Sequence, residues 1–508
     1  MLKLQLAIVP DRPLWSWSSG RWTARCGWIE PLSNPALESL LVTDGVRTAV
    51  IVRERMPDTA PWQGPISRIK PENWVNALDQ LRRTSVEFVV VEFEWPAIRL
   101  HAGAWGTAPL YLAARDSRLH ASWDFDDLRP HIVSSELDFR ELSRLLTRRH
   151  RYTRNTIARS VVQLTERSSV EFRAGSLESC YPQAAPRYRA RSVGPDAPVL
   201  DAFDSLLGQA VRRREVTSES AVAELSGGLD SALVALTLAA GSPGLASYGL
   251  SIEGEAAAQQ RRRRAELVRF RSLRDVSIPA CRPFDPAGPR AANPGEEPYA
   301  EALHRILMTS SEPVVFTGIG GDEMLALRSA ERSDFGRRCA QKPPRWLGHR
   351  AREQLPSIDE DLAPVSVLHE TSLLAFACRN PIFLRAGRWP VSPLCDPELV
   401  LFGQWLPMDW RVSKRLARVW LERLGLSNDV VYPALRENFA GVMQRGLRLG
   451  GLSLAKQVIE ESVLVDLGLV DGDAMRAAVD EAEIEAVIDT SLYDFLAVER
   501  GLRSLLGA

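Results

Sequence analysis

The residues able to do chemistry gather at two places. Ser226-Gly227-Gly228-Leu229-Asp230-Ser231 follows the short apolar run Ala221 to Leu225 and opens the apolar tract Leu229 to Ala240. Gly318-Ile319-Gly320-Gly321-Asp322-Glu323 follows a second apolar run that starts at Pro313. A strand, a glycine turn and a helix cradle phosphate: the glycines let backbone N–H groups approach the oxygens, and the helix N-terminus adds a partial positive charge. The hydroxyls of Ser226 and Ser231 add donors. Asp230 would repel phosphate unless a cation lay between them, so its presence predicts Mg²⁺, and Asp322 suits the other side of the same ion. Neither loop carries the lysine of a GxxxxGK[ST] motif. That lysine serves chemistry at the γ-phosphate. A loop that grips without it suits pyrophosphate held as a leaving group, with attack at the α-phosphorus, which is adenylation. Six specified positions at roughly 7% each recur by chance on the order of 10⁻⁴ of the time in a chain of this length.

The elements that must position these loops follow from hydrophobic periodicity. Apolar residues at 203, 206, 207, 210 and 211 make Asp201 to Val216 a helix. Ala221 to Leu225 reads as a strand, Leu229 to Ala240 as a helix, Leu245 to Ile252 as a strand, and Pro313 to Glu323 as a strand ending in glycines. Such alternation predicts a doubly wound parallel sheet, which binds ligands where its strands end. The chain before Tyr181 reads differently. Trp15 to Trp28 alternates like a hairpin around Ser-Ser-Gly, Val86 to Trp95 is a strand, and Ile98 to Phe125 breaks into short strands at Gly106 and Asp116-Ser117. Its tryptophans lack interleaved basic residues and fit hairpin packing rather than base stacking. Tyr181 to Val199, with Pro, Ala and Arg in no period, reads as a linker. The expected division is therefore a first domain over 1–185 and a second over 200–508, the last part of which is helical.

Composition bounds the rest. With 508 residues, two or three domains are expected. The chain is 45% hydrophobic and 25% charged with a net charge of −1, so RRRR (Arg261 to Arg264) and LTRRHRYTR (Leu146 to Arg154) make no global basic field for nucleic acid and read as solvated faces. Six cysteines without a CxxC pair argue against zinc and against a disulfide framework. The seven histidines show no ligand spacing. The apolar start is broken by Asp11 and Pro13, and no run reaches the ~18 apolar residues of a membrane span. A soluble, cytoplasmic protein without nucleic-acid or membrane partners is expected.

SGGLDS resembles the pyrophosphate loop of the N-type ATP pyrophosphatases, specifically the asparagine synthetase class. GIGGDE is similar to that class's second metal-binding loop, and Glu297-Pro298 matches its pattern. AGAWGTAPLYLAARDSRLHASWDFDDLR resembles a segment of the class's glutaminase-type domain. The resemblance implies an α/β protein: an N-terminal glutaminase-like (Ntn-type) β-sandwich, then an ATP pyrophosphatase sheet with a helical C-terminal part. A working glutaminase of this kind uses an N-terminal cysteine exposed by removal of Met1. Here Leu2 stands at that place and the nearest cysteine is Cys26, so the nucleophile is expected to be lost. Two branches share that loss, the β-lactam synthetases and the lasso peptide cyclases. The first carries a tyrosine inside the second loop, where this chain has Ile319. The second is similar in length, in its GxGGD loop, and in a run like Leu406 to Phe439.

The lasso-cyclase resemblance implies ATP and Mg²⁺ as cofactors, Asp230 and Asp322 as metal-binding and catalytic residues, and Ser226, Gly227, Gly228, Leu229 and Ser231 around the phosphates. Adenine is expected against the strand backbone near Leu225, Leu250, Thr317 and Gly318. Family members use a late lysine in a pattern similar to RxKxxF. ALRENF places Arg436 there, with Lys414 as a rival whose helical setting more often means a surface lysine. The implied reaction adenylates an Asp or Glu side chain of a ribosomally made core peptide and joins it to the peptide's N-terminal amine as an isopeptide, giving a macrolactam. The implied partners are a leader peptidase and a leader-recognition protein. Arg328 to Ala363 is expected to be a cavity lid or a surface excursion. The alternatives are a β-lactam-synthetase-like or other amide ligase acting on a small amino acid, or an asparagine synthetase-type enzyme without glutaminase activity.

Overall fold

The structure is a computed structural model and describes residues 1–10, 13–56, 63–84, 87–186, 190–194, 196–279, 294–296, 300–327, 342–435, 437 and 440–507. The early strands build two sheets. In the first, Val161–Gln163, Tyr111–Arg115, Arg118–Ser122, Leu2–Ala7, Gly27–Pro31, Arg21–Ala24 and Ser16–Ser18 lie side by side, all antiparallel. In the second the order is Ser176–Cys180, Ser169–Arg173, Ala97–Ala102, Phe88–Glu94, Thr48–Glu54, Leu37–Thr43 and Gln63–Arg68, antiparallel except for the last pair.

Alternation explains how they stack. Leu2, Leu4 and Leu6 are buried while the residues between them are half-exposed, and they meet Val50, Val52, Val89, Val91 and Leu100 of the second sheet. Thr48–Glu54 is buried along its whole length, because Ala49 and Ile51 on its other face pack under Trp74 and Leu78 of the Trp74–Thr84 helix. The Trp22 indole donates to Ser39 Oγ at 2.9 Å, pinning one sheet to the other.

The second half carries a parallel sheet ordered Arg274–Pro279, Ala246–Ser251, Ala221–Glu224, Val314–Phe316, Trp389–Val391. Ala221, Ala223, Val314 and Phe316 face the Val199–Arg212 and Leu229–Gly241 helices. Val222 and Val315 face the Ala300–Thr309 and Glu370–Arg385 helices. The sheet is thus doubly wound, as the alternation of elements predicts. Its winding direction reverses between Ala221–Glu224 and Val314–Phe316, which opens a crevice at their carboxyl ends.

The halves are knit together by buried polar contacts. Glu54 accepts from Arg214 at 2.8 Å and from the Trp389 indole at 2.6 Å. Asn34 donates to Pro313 O and Gly387 O. The late helices, through residues such as Leu447, Tyr493 and Leu496, pack on Tyr111, Phe125 and Leu142 of the first half. Among the described residues, no helix is long and apolar enough to cross a membrane.

Three expectations need correction. RRRR is a solvated face only at Arg261 and Arg262, because Arg263 and Arg264 are buried. Arg263 reaches Glu437 and Val430 O, and Arg264 reaches Asp275 and Gly249 O. Their stems pack while their heads find buried acceptors, which no local pattern announces. In the second basic run, Arg148 ties to Asp494 and Thr490, and Arg151 to Asp359. The described part of the 328–363 tract is anchored rather than free: Trp346, Leu347 and Ala351 are core residues, His349–Gln354 is helical, and Glu360 and Asp361 pair with Arg140. Its other part, 328–341, lies outside the described residues.

Candidate functional site

Both glycine loops open into the crevice at the winding reversal. The first leaves its strand at Leu225, whose N–H donates to Tyr248 O at 2.7 Å and whose side chain is fully buried. Ser231 Oγ is the knot of the loop. It accepts from the Ser226 N–H at 3.2 Å, lies 3.0 Å from Ser226 Oγ, and donates to Gly228 O at 3.1 Å. Gly227 has φ +93°, a left-handed conformation that glycine adopts without strain. Gly228 starts the Leu229–Gly241 helix without a side-chain cap, which leaves first-turn N–H groups for an anion.

A residue absent from the motif holds this loop in place. Gln260 donates to Ser226 O and to Leu250 O, both at 2.9 Å, and its Oε1 accepts from the Ile252 N–H at 2.9 Å. It therefore staples the loop to the end of the neighbouring strand. Leu250 is half-buried there.

The second loop lies directly on the first. A Cβ at Gly318 would stand 2.8 Å from Ser231 N, and one at Gly321 would stand 2.2 Å from Asp230 Cγ. Glycine is required at both positions because two loops touch, a reason distinct from phosphate approach. The Thr317 side chain is fully buried with its Oγ1 2.8 Å from Ser392 Oγ. At Leu225 and Thr317, then, only backbone is left to meet a ligand. Ile319 packs among Ala104, Trp105, Tyr152 and Leu373, an apolar cluster drawn partly from the first half of the chain.

Asp230 and Asp322, one from each loop, converge on one atom. Lys414 Nζ donates to Asp230 Oδ2 at 2.6 Å and lies 2.7 Å from Asp322 Oδ1. Burial pushes the Asp230 carboxyl above its ordinary value against the pull of Lys414. Burial alone would lower Lys414, but Asp230 and Asp322 outweigh it and hold the ammonium above its ordinary value. Lys414 is not the surface helical lysine expected. The helix begins at Arg415, and Lys414 precedes it in the left-handed region at φ 55°.

The pair fits a Mg²⁺ ion. Asp230 Oδ1 is buried without a hydrogen-bond partner, an orphaned lone pair costly to leave unused. The Asp322 side chain is 80% exposed and faces arriving solvent or ligand. Both donors are hard oxygens, as Mg²⁺ demands. Among the described residues no group of three or more His, Cys, Asp or Glu gathers as a metal cage. Two carboxylates alone are the donor set of an ion completed by water and phosphate oxygens.

Beside the pair, Thr371 Oγ1 donates to Glu323 Oε1 at 2.6 Å and lies 3.0 Å from His369 Nδ1. Elsewhere, Leu2 is a fully buried strand residue, and burial pushes the Cys26 thiol up to about 11. Arg436 and Glu297-Pro298 lie outside the described residues.

An open parallel sheet with two acidic glycine loops meeting at its winding reversal has the layout in which α/β proteins take up phosphate-bearing ligands. Residues 202–371, which span both loops, match the asparagine synthase family model. This match supports ATP-dependent ligase chemistry. No curated protein matches the chain.

Proposed function

We propose that this protein is an ATP-dependent lasso peptide cyclase of the asparagine synthetase-like kind. Asp230 and Asp322 would hold one Mg²⁺ ion, which when bound would neutralise phosphate charge and favour departure of pyrophosphate. The first-turn N–H groups after Gly228, with the Ser226 and Ser231 hydroxyls, hold the β and γ phosphates. The strand ends at Leu225, Leu250, Thr317 and Gly318 offer backbone to adenine. A side-chain carboxylate of the bound peptide attacks the α-phosphorus, giving an acyl adenylate and pyrophosphate. The peptide's N-terminal amine then attacks the acyl carbon, an isopeptide bond forms, and AMP leaves with the electron pair of the broken bond.

The observation that carries this reading is the convergence of Asp230 and Asp322 on one point at the winding reversal. The choice of amine rests on Ile319, an apolar residue where a tyrosine base would be needed for a more basic nucleophile. An α-amino group has an ordinary pKa near ~7.7–8.0, so a useful fraction is neutral without a dedicated base. Ring closure over about eight residues costs only ~2 kcal/mol beyond a constant. Holding the tail inside the ring before the bond forms is the larger demand, and it falls to the peptide-binding surface.

The test is incubation with ATP, Mg²⁺ and a leaderless peptide carrying an internal Asp or Glu. The expected result is AMP, pyrophosphate and a peptide lighter by one water. Turnover only with small carboxylated amino acids would replace this reading with that of a small-molecule amide ligase.

A further inference from the structure

We propose that Lys414 is an internal counter-cation. Its ammonium occupies the divalent-ion position in the nucleotide-free protein, so the metal enters efficiently only together with the nucleotide. This inference rests on the assignment of Asp230 and Asp322 as the ion's ligands.

Three observations carry it. Nζ lies 2.6 Å from Asp230 Oδ2 and 2.7 Å from Asp322 Oδ1, so one unit charge bridges the two loops where a shared ion would sit. The backbone is bent to place it there. Ser413 and Lys414 are consecutive non-glycine residues at φ 50° and 55°, each in the left-handed region that side chains disfavour. The surroundings hold that bend: Arg418 Nε donates to Ser413 O at 2.7 Å, and the buried Arg411 donates to Leu406 O at 3.0 Å and to Ala326 O at 2.9 Å, just beyond the second loop. Finally, Asp230 Oδ1 is left without a partner. The lysine therefore satisfies only part of the donor set and leaves an oxygen ready for an incoming ion.

The physical consequence is competition. Two carboxylates pressed together without a cation would repel each other, and burial makes that repulsion strong. Lys414 removes it and keeps the loops in register. A bare divalent ion must displace the ammonium. An ion arriving with nucleotide brings phosphate oxygens that both complete its shell and give the freed ammonium an anionic partner.

The experiment titrates Mn²⁺ into nucleotide-free protein and counts free ion by electron paramagnetic resonance. Wild type should bind Mn²⁺ weakly, and Lys414→Met should bind it about tenfold or more tightly. Lys414→Arg, which keeps a cation, should match wild type and guards against a loss caused by misfolding, as thermal melts of all three would show. Adding Asp322→Asn to Lys414→Met should erase the gain. A Lys414→Met protein that melts like wild type yet gains no Mn²⁺ affinity overturns the proposal while leaving the metal site standing. If Asp230→Asn and Asp322→Asn also leave binding of Mn²⁺ with ATP unchanged, the metal site itself falls and this inference with it.

Discussion

The two acidic loops look alike in sequence and differ in the fold. Asp230 sits in the first turn of a helix, with its side chain only 20% exposed and one oxygen unpartnered, whereas the Asp322 side chain is 80% exposed at the start of a single helical turn. One loop is knotted by Ser231 and stapled by Gln260, while the other is tied through its ends, Thr317 to Ser392 and Glu323 to Thr371, and lies directly against the first at Gly318 and Gly321. On the proposed reading the difference is a division of labour: the buried carboxylate is the fixed anchor, and the exposed one meets what arrives.

That comparison can be broken by experiment. The largest effect is expected for Asp230→Asn, which should lower AMP formation by about 10³-fold, against about 10²-fold for Asp322→Asn, read by AMP release with peptide and ATP. Equal losses would remove the distinction between the anchor and the exposed residue. Gly321→Ala comes next, because its methyl group would stand 2.2 Å from Asp230 Cγ. Pushing the anchor aside should cost about 10²-fold in kcat, with about 1–3 kcal/mol lost in a denaturant melt. Gln260→Ala should raise KM for ATP about tenfold with a smaller change in kcat, since it loosens the first loop and leaves the second intact.

The smallest effect concerns pH. Burial holds the Asp230 carboxyl above its ordinary value of 3.8. In the window between those values the native state keeps a proton that the unfolded chain has released, so Asp230 makes stability fall as pH rises through it. Denaturant melts across that window should show a shallower fall for Asp230→Asn than for wild type.

How much of this was legible in the sequence depends on range. The two glycine loops and the strands feeding them were readable because they are contiguous residues with distinctive backbone needs, whereas the point where the winding reverses follows from strand order, which a sequence does not display. Of the sandwich strands, the hairpin around Ser-Ser-Gly and those from Phe88 to Ser122 were readable, while Leu2–Ala7, Leu37–Thr43, Thr48–Glu54 and Ser169–Arg173 were not read from the sequence. Lys414 stood in the sequence only as a rival to Arg436, because the helical pattern through it suits a surface lysine and does not announce the left-handed bend at Ser413 and Lys414. Gln260 and Arg264 carried no signal at all. Their roles come from a helix laid across the strand ends, a tertiary contact that leaves the local pattern of RRRR looking solvated.

The central claim is that Asp230 and Asp322 grip one ion together with nucleotide. A crystal structure with Mg²⁺ and a non-hydrolysable ATP analogue tests it most directly. The account predicts one ion with an oxygen of each aspartate about 2.0–2.1 Å away and the Lys414 ammonium moved off the position it bridges. An ion bound to phosphates alone, with Lys414 still seated between the two carboxylates, would contradict it.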